Sequence, residues 1–139
     1  MRLRSLCILL AAGGSAALLI AALGFQHLGG LPPCKLCIWQ RWPHVAAVVI
    51  GLVALAVPGR ALPYLGALAA LGTAVVGFYH AGVEQHWWPG PDTCTSSPIT
   101  GMSTDDLLNQ IMTAPLVRCD EIPWDLLGIS MAGWNAIAS

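Results

Sequence analysis

Residues 5–34, 42–59 and 61–83 contain no Asp, Glu, Lys or Arg. Each stretch can hold a helix of about 17–25 residues, the length that crosses the hydrocarbon core of a bilayer. Two glycines and two prolines in Gln26-His27-Leu28-Gly29-Gly30-Leu31-Pro32-Pro33 stop the first helix. Pro58-Gly59-Arg60-Ala61-Leu62-Pro63 reads as a tight turn between the second and third. A fourth apolar run follows Asp125, but residues 126–139, at about 1.5 Å rise per residue, cover only about 21 Å of a core about 30 Å thick. The pattern predicts spans at about 6–28, 42–57, 64–82 and 125–139, with loops at about 29–41 and 83–123. The expected fold class is an all-α membrane protein: a single membrane domain over residues 1–139, built as a four-transmembrane-helix bundle whose last helix is short or truncated. Pro43 is expected in the first turn of span two, where a missing N–H is harmless. Gly13, Ala17 and Ala21 in span one, and Gly66, Ala70 and Ala74 in span three, recur at every fourth position. Such stripes of small residues let another helix approach closely.

Composition supports lipid as the solvent. The chain is 56% hydrophobic and 9% charged, with a mean hydropathy of +0.69, where soluble domains carry about 25% charged residues. A net charge of −1 argues against a nucleic-acid partner. The apolar run from Leu6 to about Leu28 exceeds the roughly 7–15-residue core of a cleaved signal peptide. Tryptophans favour the interface between lipid and water, and Trp39 and Trp42 bracket Arg41 there. Residues 83–123 form the sizeable aqueous segment, with an interfacial turn at Trp87-Trp88-Pro89-Gly90-Pro91 and a Pro/Ser/Thr stretch after Cys94. Ser103-Thr104-Asp105-Asp106 resembles a capping box. The helix it starts places Leu107, Leu108, Ile111 and Met112 on one face, packed on protein or lying on the membrane surface, and Pro115 ends it.

The chemistry lies in the cysteines. Of five, Cys7 stands alone and reads as a small buried apolar side chain. Cys34 and Cys37 follow span one, and Cys94 and Cys119 follow span three, so all four face one compartment. Basic residues do not orient the chain, since Arg2, Arg4 and Arg60 oppose Lys35, Arg41 and Arg118. Four thiols gathered on one side point to the oxidising compartment, which makes both cysteine loops periplasmic and both termini cytoplasmic. No metal is expected, because the Cys94/Cys119 pair lacks zinc-ligand spacing. Haem attachment needs histidine after the C-x-x-C, where Ile38 stands instead. Two readings remain open. In one, the cysteines are inert staples, and a loop closed between Cys94 and Cys119 is stabilised by about 3 kcal/mol. In the other they exchange, since a bridge across so tight a loop as Cys34-Lys35-Leu36-Cys37 adds little stability and a C-x-x-C thiolate is reactive.

Phe25-Gln26-His27, Pro33-Cys34-Lys35-Leu36-Cys37, Gln40-Arg41, Glu84-Gln85 with Trp87-Trp88, Cys94, and Cys119 followed by Trp124-Asp125-Leu126-Leu127-Gly128 together resemble the bacterial disulfide-bond formation protein B (DsbB) family. The resemblance covers nearly the whole chain. It implies a protein-dithiol:quinone oxidoreductase of the bacterial inner membrane. A reduced periplasmic DsbA-type, thioredoxin-like oxidase attacks a Cys94–Cys119 disulfide at Cys94, and the freed Cys119 attacks Cys34 of the Cys34–Cys37 pair. Cys37, released as thiolate, then donates to membrane quinone, ubiquinone or menaquinone. Arg41 is implied beside the quinone. It is always charged and lies one turn beyond Cys37 if the helix begins at the motif; its alternative role is an anchor on lipid phosphate. His86 is a candidate proton donor to the quinone or a headgroup-facing polar residue, and His27, His44 and His80 are weaker candidates. Gln40 departs from the acid that some family members carry. A vitamin-K-epoxide-reductase-like enzyme and a non-enzymatic disulfide-stapled membrane protein are the alternatives.

Overall fold

The computed structural model describes residues 3–91, 94, 103–113 and 117–139. Three long helices dominate: α1 (Leu3–His27), α2 (Lys35–Ala56) and α3 (Ala61–Glu84). Among the described residues these three are long and apolar enough to cross a membrane. A short helix α4 (Thr104–Thr113), a hairpin of β1 (Asp125–Leu126) and β2 (Ile129–Ser130), and helix α5 (Met131–Ala138) complete the chain.

The burial pattern is that of a protein in lipid. Large apolar side chains such as Leu10, Ile20, Leu52, Leu68 and Val75 face outward, while Ser15, Gln40, His44, Thr73, His80, Glu84 and Ser130 are buried. Polar groups at membrane depth turn inward because hydrocarbon offers them no partner. Helices α1 and α2 meet where the missing side chain of Gly51 admits Ala12 and Ile8. The expected stripe Gly13/Ala17/Ala21 is instead exposed on α1. Gly66 of the second stripe does face a neighbour, with Ile50 of α2 3.6 Å from the position its Cβ would occupy. Cys7, expected buried, is also exposed.

Helix α2 begins seven residues before the expected span, at Lys35 rather than residue 42. Cys34 is its N-cap, and its sulfur accepts the Cys37 N–H at 3.2 Å, taking the place of the usual hydroxyl or carboxylate oxygen. Pro43 therefore sits inside the helix rather than in its first turn, where it costs the bond to the carbonyl four residues earlier. Arg4 secures the opposite end of α2. Its guanidinium donates to the carbonyls of Ala54, Val57 and Gly59 at 2.7, 3.0 and 3.2 Å, groups that a helix C-terminus leaves without intrahelical partners.

The expected span at 125–139 takes another form. Asp125 pairs with Ser130 and Leu126 with Ile129, around a turn in which Leu127 (φ 56°) and Gly128 (φ 76°) are both left-handed. Two positive φ values make the tight turn that matches strand twist. The helix that follows, α5, has eight residues. Its cap is Ser130, whose oxygen accepts the Gly133 N–H at 3.1 Å, and Trp134 Nε1 donates back to the Leu126 carbonyl at 3.0 Å. Helix α5 approaches α3 closely at Gly77, where an added Cβ would lie 3.1 Å from Ala132 O and Ala136 N.

Helix α4 starts as its sequence predicts: the Asp106 N–H donates to Ser103 Oγ at 3.2 Å. The acid, however, receives the serine hydroxyl at 2.7 Å rather than a backbone N–H. Leu108 and Met112 are exposed, so this part of the face is not packed on protein. The side chains of Leu107 and Ile111, the Pro/Ser/Thr stretch after Cys94 and the stop at Pro115 lie outside the described residues.

Candidate functional site

The four cysteines expected to carry chemistry meet at one end of the bundle. Cys34, Cys94 and Cys119 are buried with Leu36 and Val83 in one apolar cluster, and Cys37, Trp88 and Val117 pack against it. Cys94 and Cys119 are joined as a disulfide with Cα atoms 5.5 Å apart. Cys34 and Cys37 are free thiols, and Cys34 Sγ donates to Cys37 Sγ at 2.9 Å. That hydrogen bond and burial hold the Cys34 thiol above its usual range.

A cavity of about 450 Å³ opens beside this cluster. Leu18, Leu19, Ala22 and Phe25 of α1 form an apolar wall, and Cys37 and Arg41 lie on the α2 side, one turn apart. Phe25 and Trp124 pack with ring centroids 5.0 Å apart at its edge. Arg41 Nη1 donates to Gln26 Oε1 at 2.7 Å, a neutral partner that leaves the guanidinium charge uncompensated.

The polar residues of α2, α3 and α5 converge on the thiols. His80 Nε2 lies 3.5 Å from Cys34 Sγ and 3.7 Å from Glu84 Oε1, and the ring also interacts with the Cys119 backbone carbonyl. Its Nδ1 faces Gln40 Nε2 at 2.8 Å, and Gln40 Oε1 accepts from Asn135 Nδ2 at 2.6 Å. Glu84 accepts the Ser130 hydroxyl, so the hairpin residue that caps α5 also ties it to α3. Ligand atoms of Cys34, Cys37 and His80 lie within 4.8 Å of one another. Gln40 meets the ring at Nδ1, so Nε2 is the ring nitrogen turned toward the sulfurs.

His86, expected beside the cofactor, does not line the cavity. It is exposed and takes the left-handed position after α3, with φ 58°. Its N–H donates to the Val83 carbonyl at 3.1 Å and that of Trp87 to Gly82 at 2.9 Å, the bond pair that ends a helix with a left-handed residue, usually glycine. Arg118 and Asp120 lie on the exposed loop beside Cys119. Arg118 Nη2 donates to Asp120 Oδ2 at 2.6 Å. This bond holds the Asp120 carboxyl below its usual range and raises Arg118 further.

Spacing is the signal for the buried polar residues, of which the sequence marks His44 and His80 only as weaker candidates and Gln40 and Glu84 only as motif positions. Gln40 and His44 lie one turn apart in α2, and Thr73, Gly77, His80 and Glu84 follow i, i+4, i+7, i+11 in α3. Each row is a polar or small stripe inside an apolar helix, and ionisable residues at that depth mark functional positions.

The family model for disulfide bond formation protein DsbB matches residues 4–139. Disulfide bond formation protein B of Methylococcus capsulatus is 37% identical over 139 residues, covering 94% of this chain and 84% of that protein. The protein of the same name from Shewanella sp. (strain MR-4) is 32% identical over 136 residues, covering 94% and 77%. That from Shewanella loihica is 34% identical over 145 residues, covering 99% and 81%. No solved structure gives a significant match. The match along nearly the whole length, with four cysteines gathered beside an apolar cavity, places this chain in the disulfide bond formation protein B family.

Proposed function

We propose that this chain is a membrane thiol oxidase that re-forms the disulfide of a periplasmic, thioredoxin-like DsbA-type oxidase and passes the electrons to membrane quinone, ubiquinone or menaquinone. In this reading α1, α2 and α3 cross the bacterial inner membrane, and the cysteine end faces the periplasm. The supporting observation is that both cysteine pairs share one buried cluster at the edge of an apolar cavity.

The roles follow from exchange chemistry, in which a thiolate attacks one sulfur and the other leaves. A thiolate of the reduced partner bonds to Cys94, and Cys119 leaves. Cys119 then bonds to Cys34 of an oxidised Cys34–Cys37 pair, and Cys37 leaves as thiolate one turn from Arg41. The cavity suits a quinone: its α1 wall is hydrocarbon and phenyl, and a fixed cation stands at one side for a ring oxygen. A quinone held there supplies a lipid-soluble acceptor of two electrons and two protons. Leu18, Leu19, Ala22 and Phe25 would hold its ring and Arg41 its oxygen.

The test is to purify the chain in detergent with quinone, add reduced DsbA-type partner and follow quinone reduction. Cys37→Ser should abolish turnover, and Cys119→Ser should trap a partner adduct on Cys94. Undiminished turnover in Cys37→Ser, or an adduct on Cys34 instead, overturns the route. A stapled, non-enzymatic protein would show no quinone reduction in the unaltered chain.

A further inference from the structure

The buried polar side chains form an array with one direction, and backbone carbonyls set that direction. Thr73 Oγ1 donates to the Gln40 carbonyl at 3.1 Å, so its oxygen is left to accept, and Asn135 Nδ2 lies 3.1 Å from it. The Asn135 nitrogen therefore points this way, and it also donates to Gln40 Oε1 at 2.6 Å. The Gln40 nitrogen is on the other side, 3.4 Å from the Leu36 carbonyl, which can only accept. This nitrogen donates to His80 Nδ1 at 2.8 Å. An imidazole nitrogen that accepts carries no proton, so neutral His80 holds its proton on Nε2. At the far end, His44 Nε2 donates to Asn135 Oδ1 at 2.7 Å, and its Nδ1 is buried without a partner among the described residues. From His44 onward, each donor along the chain of side chains points toward Cys34.

What His80 Nε2 meets is Cys34 Sγ, at 3.5 Å. The same sulfur accepts the Cys37 N–H at 3.2 Å. We propose that His80, fixed as the Nε2–H tautomer by Gln40, Asn135 and His44, is a positioning residue whose N–H lets Cys34 carry negative charge when its proton leaves. The use of this device rests on the thiol-oxidase reading, in which Cys34 is the sulfur that joins Cys119 and later leaves it. Burial and the Cys37 sulfur oppose a thiolate on Cys34, so exchange there needs a compensating donor. Among the cavity's charged groups, Arg41 of α2 and Arg118 of the loop favour that charge, and Glu84 of α3 and Glu121 of the loop disfavour it; α1 and α5 present none. Glu84 Oε1, 3.7 Å from Nε2, and the Cys119 backbone carbonyl also compete for the same proton.

The test alkylates the reduced full chain in detergent across a pH series. Cleavage after Lys35 places Cys34 and Cys37 on separate peptides for mass spectrometry. His80→Leu should raise the midpoint of Cys34 labelling by about one pH unit, the ten-fold effect of one charge-assisted hydrogen bond. His80→Gln, which keeps an N–H within reach, should shift it by less than half as much. An unchanged midpoint in His80→Leu, equal shifts in both variants, or no Cys34 labelling of the unaltered chain at alkaline pH overturns the proposal. The nitrogen-15 spectrum of the unaltered reduced chain supplies a check that no substitution can disturb. There the His80 signals, assigned through contact with the Gln40 amide, should show the proton on Nε2, and a proton on Nδ1 overturns the proposal. Neither measurement uses partner or quinone, so failure here leaves the oxidase reading standing, and failure of the turnover assay leaves this geometry standing.

Discussion

Gln26, one residue before the end of α1, accepts a hydrogen bond from Arg41 of α2 at 2.7 Å. The bond crosses from one helix to the next and fixes where the only arginine of α2 points its charge. A neutral acceptor orients a guanidinium without cancelling it, which a carboxylate in the same place would do. Gln26→Leu should therefore raise the quinone KM roughly three- to ten-fold, somewhat below the full worth of a charge-assisted hydrogen bond, while kcat changes little. Arg41→Met should raise it further. A fall in kcat with KM unchanged in Gln26→Leu would show that Gln26 does not act through placement of Arg41.

Ending α3 at His86 makes a second prediction. A side chain in the left-handed region costs about 1 kcal/mol or more that glycine does not pay, and His86 bears that cost at φ 58°. His86→Gly should leave thermal stability in detergent unchanged or raise it by roughly 0.5–1 kcal/mol, with quinone reduction intact. Lost turnover would return His86 to the cofactor.

Close approach of α5 depends on Gly77. Gly77→Val places atoms against Ala132 O and Ala136 N, already 3.1 Å from where the first carbon would sit. Overpacking of this kind costs about 1–3 kcal/mol, and it should separate Asn135 from Thr73 and Gln40. The expected outcome is lower thermal stability together with loss of the His80 tautomer preference. Retention of both would show that α5 yields at little cost.

Acid should act on the loop beside Cys119 through Asp120. The Arg118 hydrogen bond lowers its folded-state pKa, so the stabilisation is complete above the unfolded value of about 3.9. It is lost as pH falls through the lower folded value, and nothing changes between neutral pH and about pH 5. Arg118→Ala should move the Asp120 midpoint, read by NMR of its carboxyl carbon, up toward about 3.9. An unmoved midpoint would mean that the ion pair does not persist in solution.

Much of the molecule was legible from the chain alone. Charge-free runs located three helices, because the length and polarity demands of a bilayer act on local sequence. The four cysteines and Arg41 were visible as chemistry, because their residue types and order carry the signal. Helix α2 began earlier than expected, because a cysteine sulfur took a capping role usually read from oxygen-bearing side chains. The hairpin at 125–130 was hidden, because Leu127-Gly128 is not a typical left-handed pair and the run around it is apolar like a span.

Sequence by itself determined where the chain meets lipid and which side chains carry sulfur and fixed charge, since composition and order settle both. Tertiary structure alone decided that His80 stands beside Cys34 while His86 lies off the cavity, and that Gln40 and Asn135 link His80 to His44. Those contacts join residues 40 to 95 positions apart on separate helices, and no local pattern encodes which way a buried amide points. Its direction is set only when neighbouring backbone carbonyls leave it a single way to satisfy its hydrogen bonds.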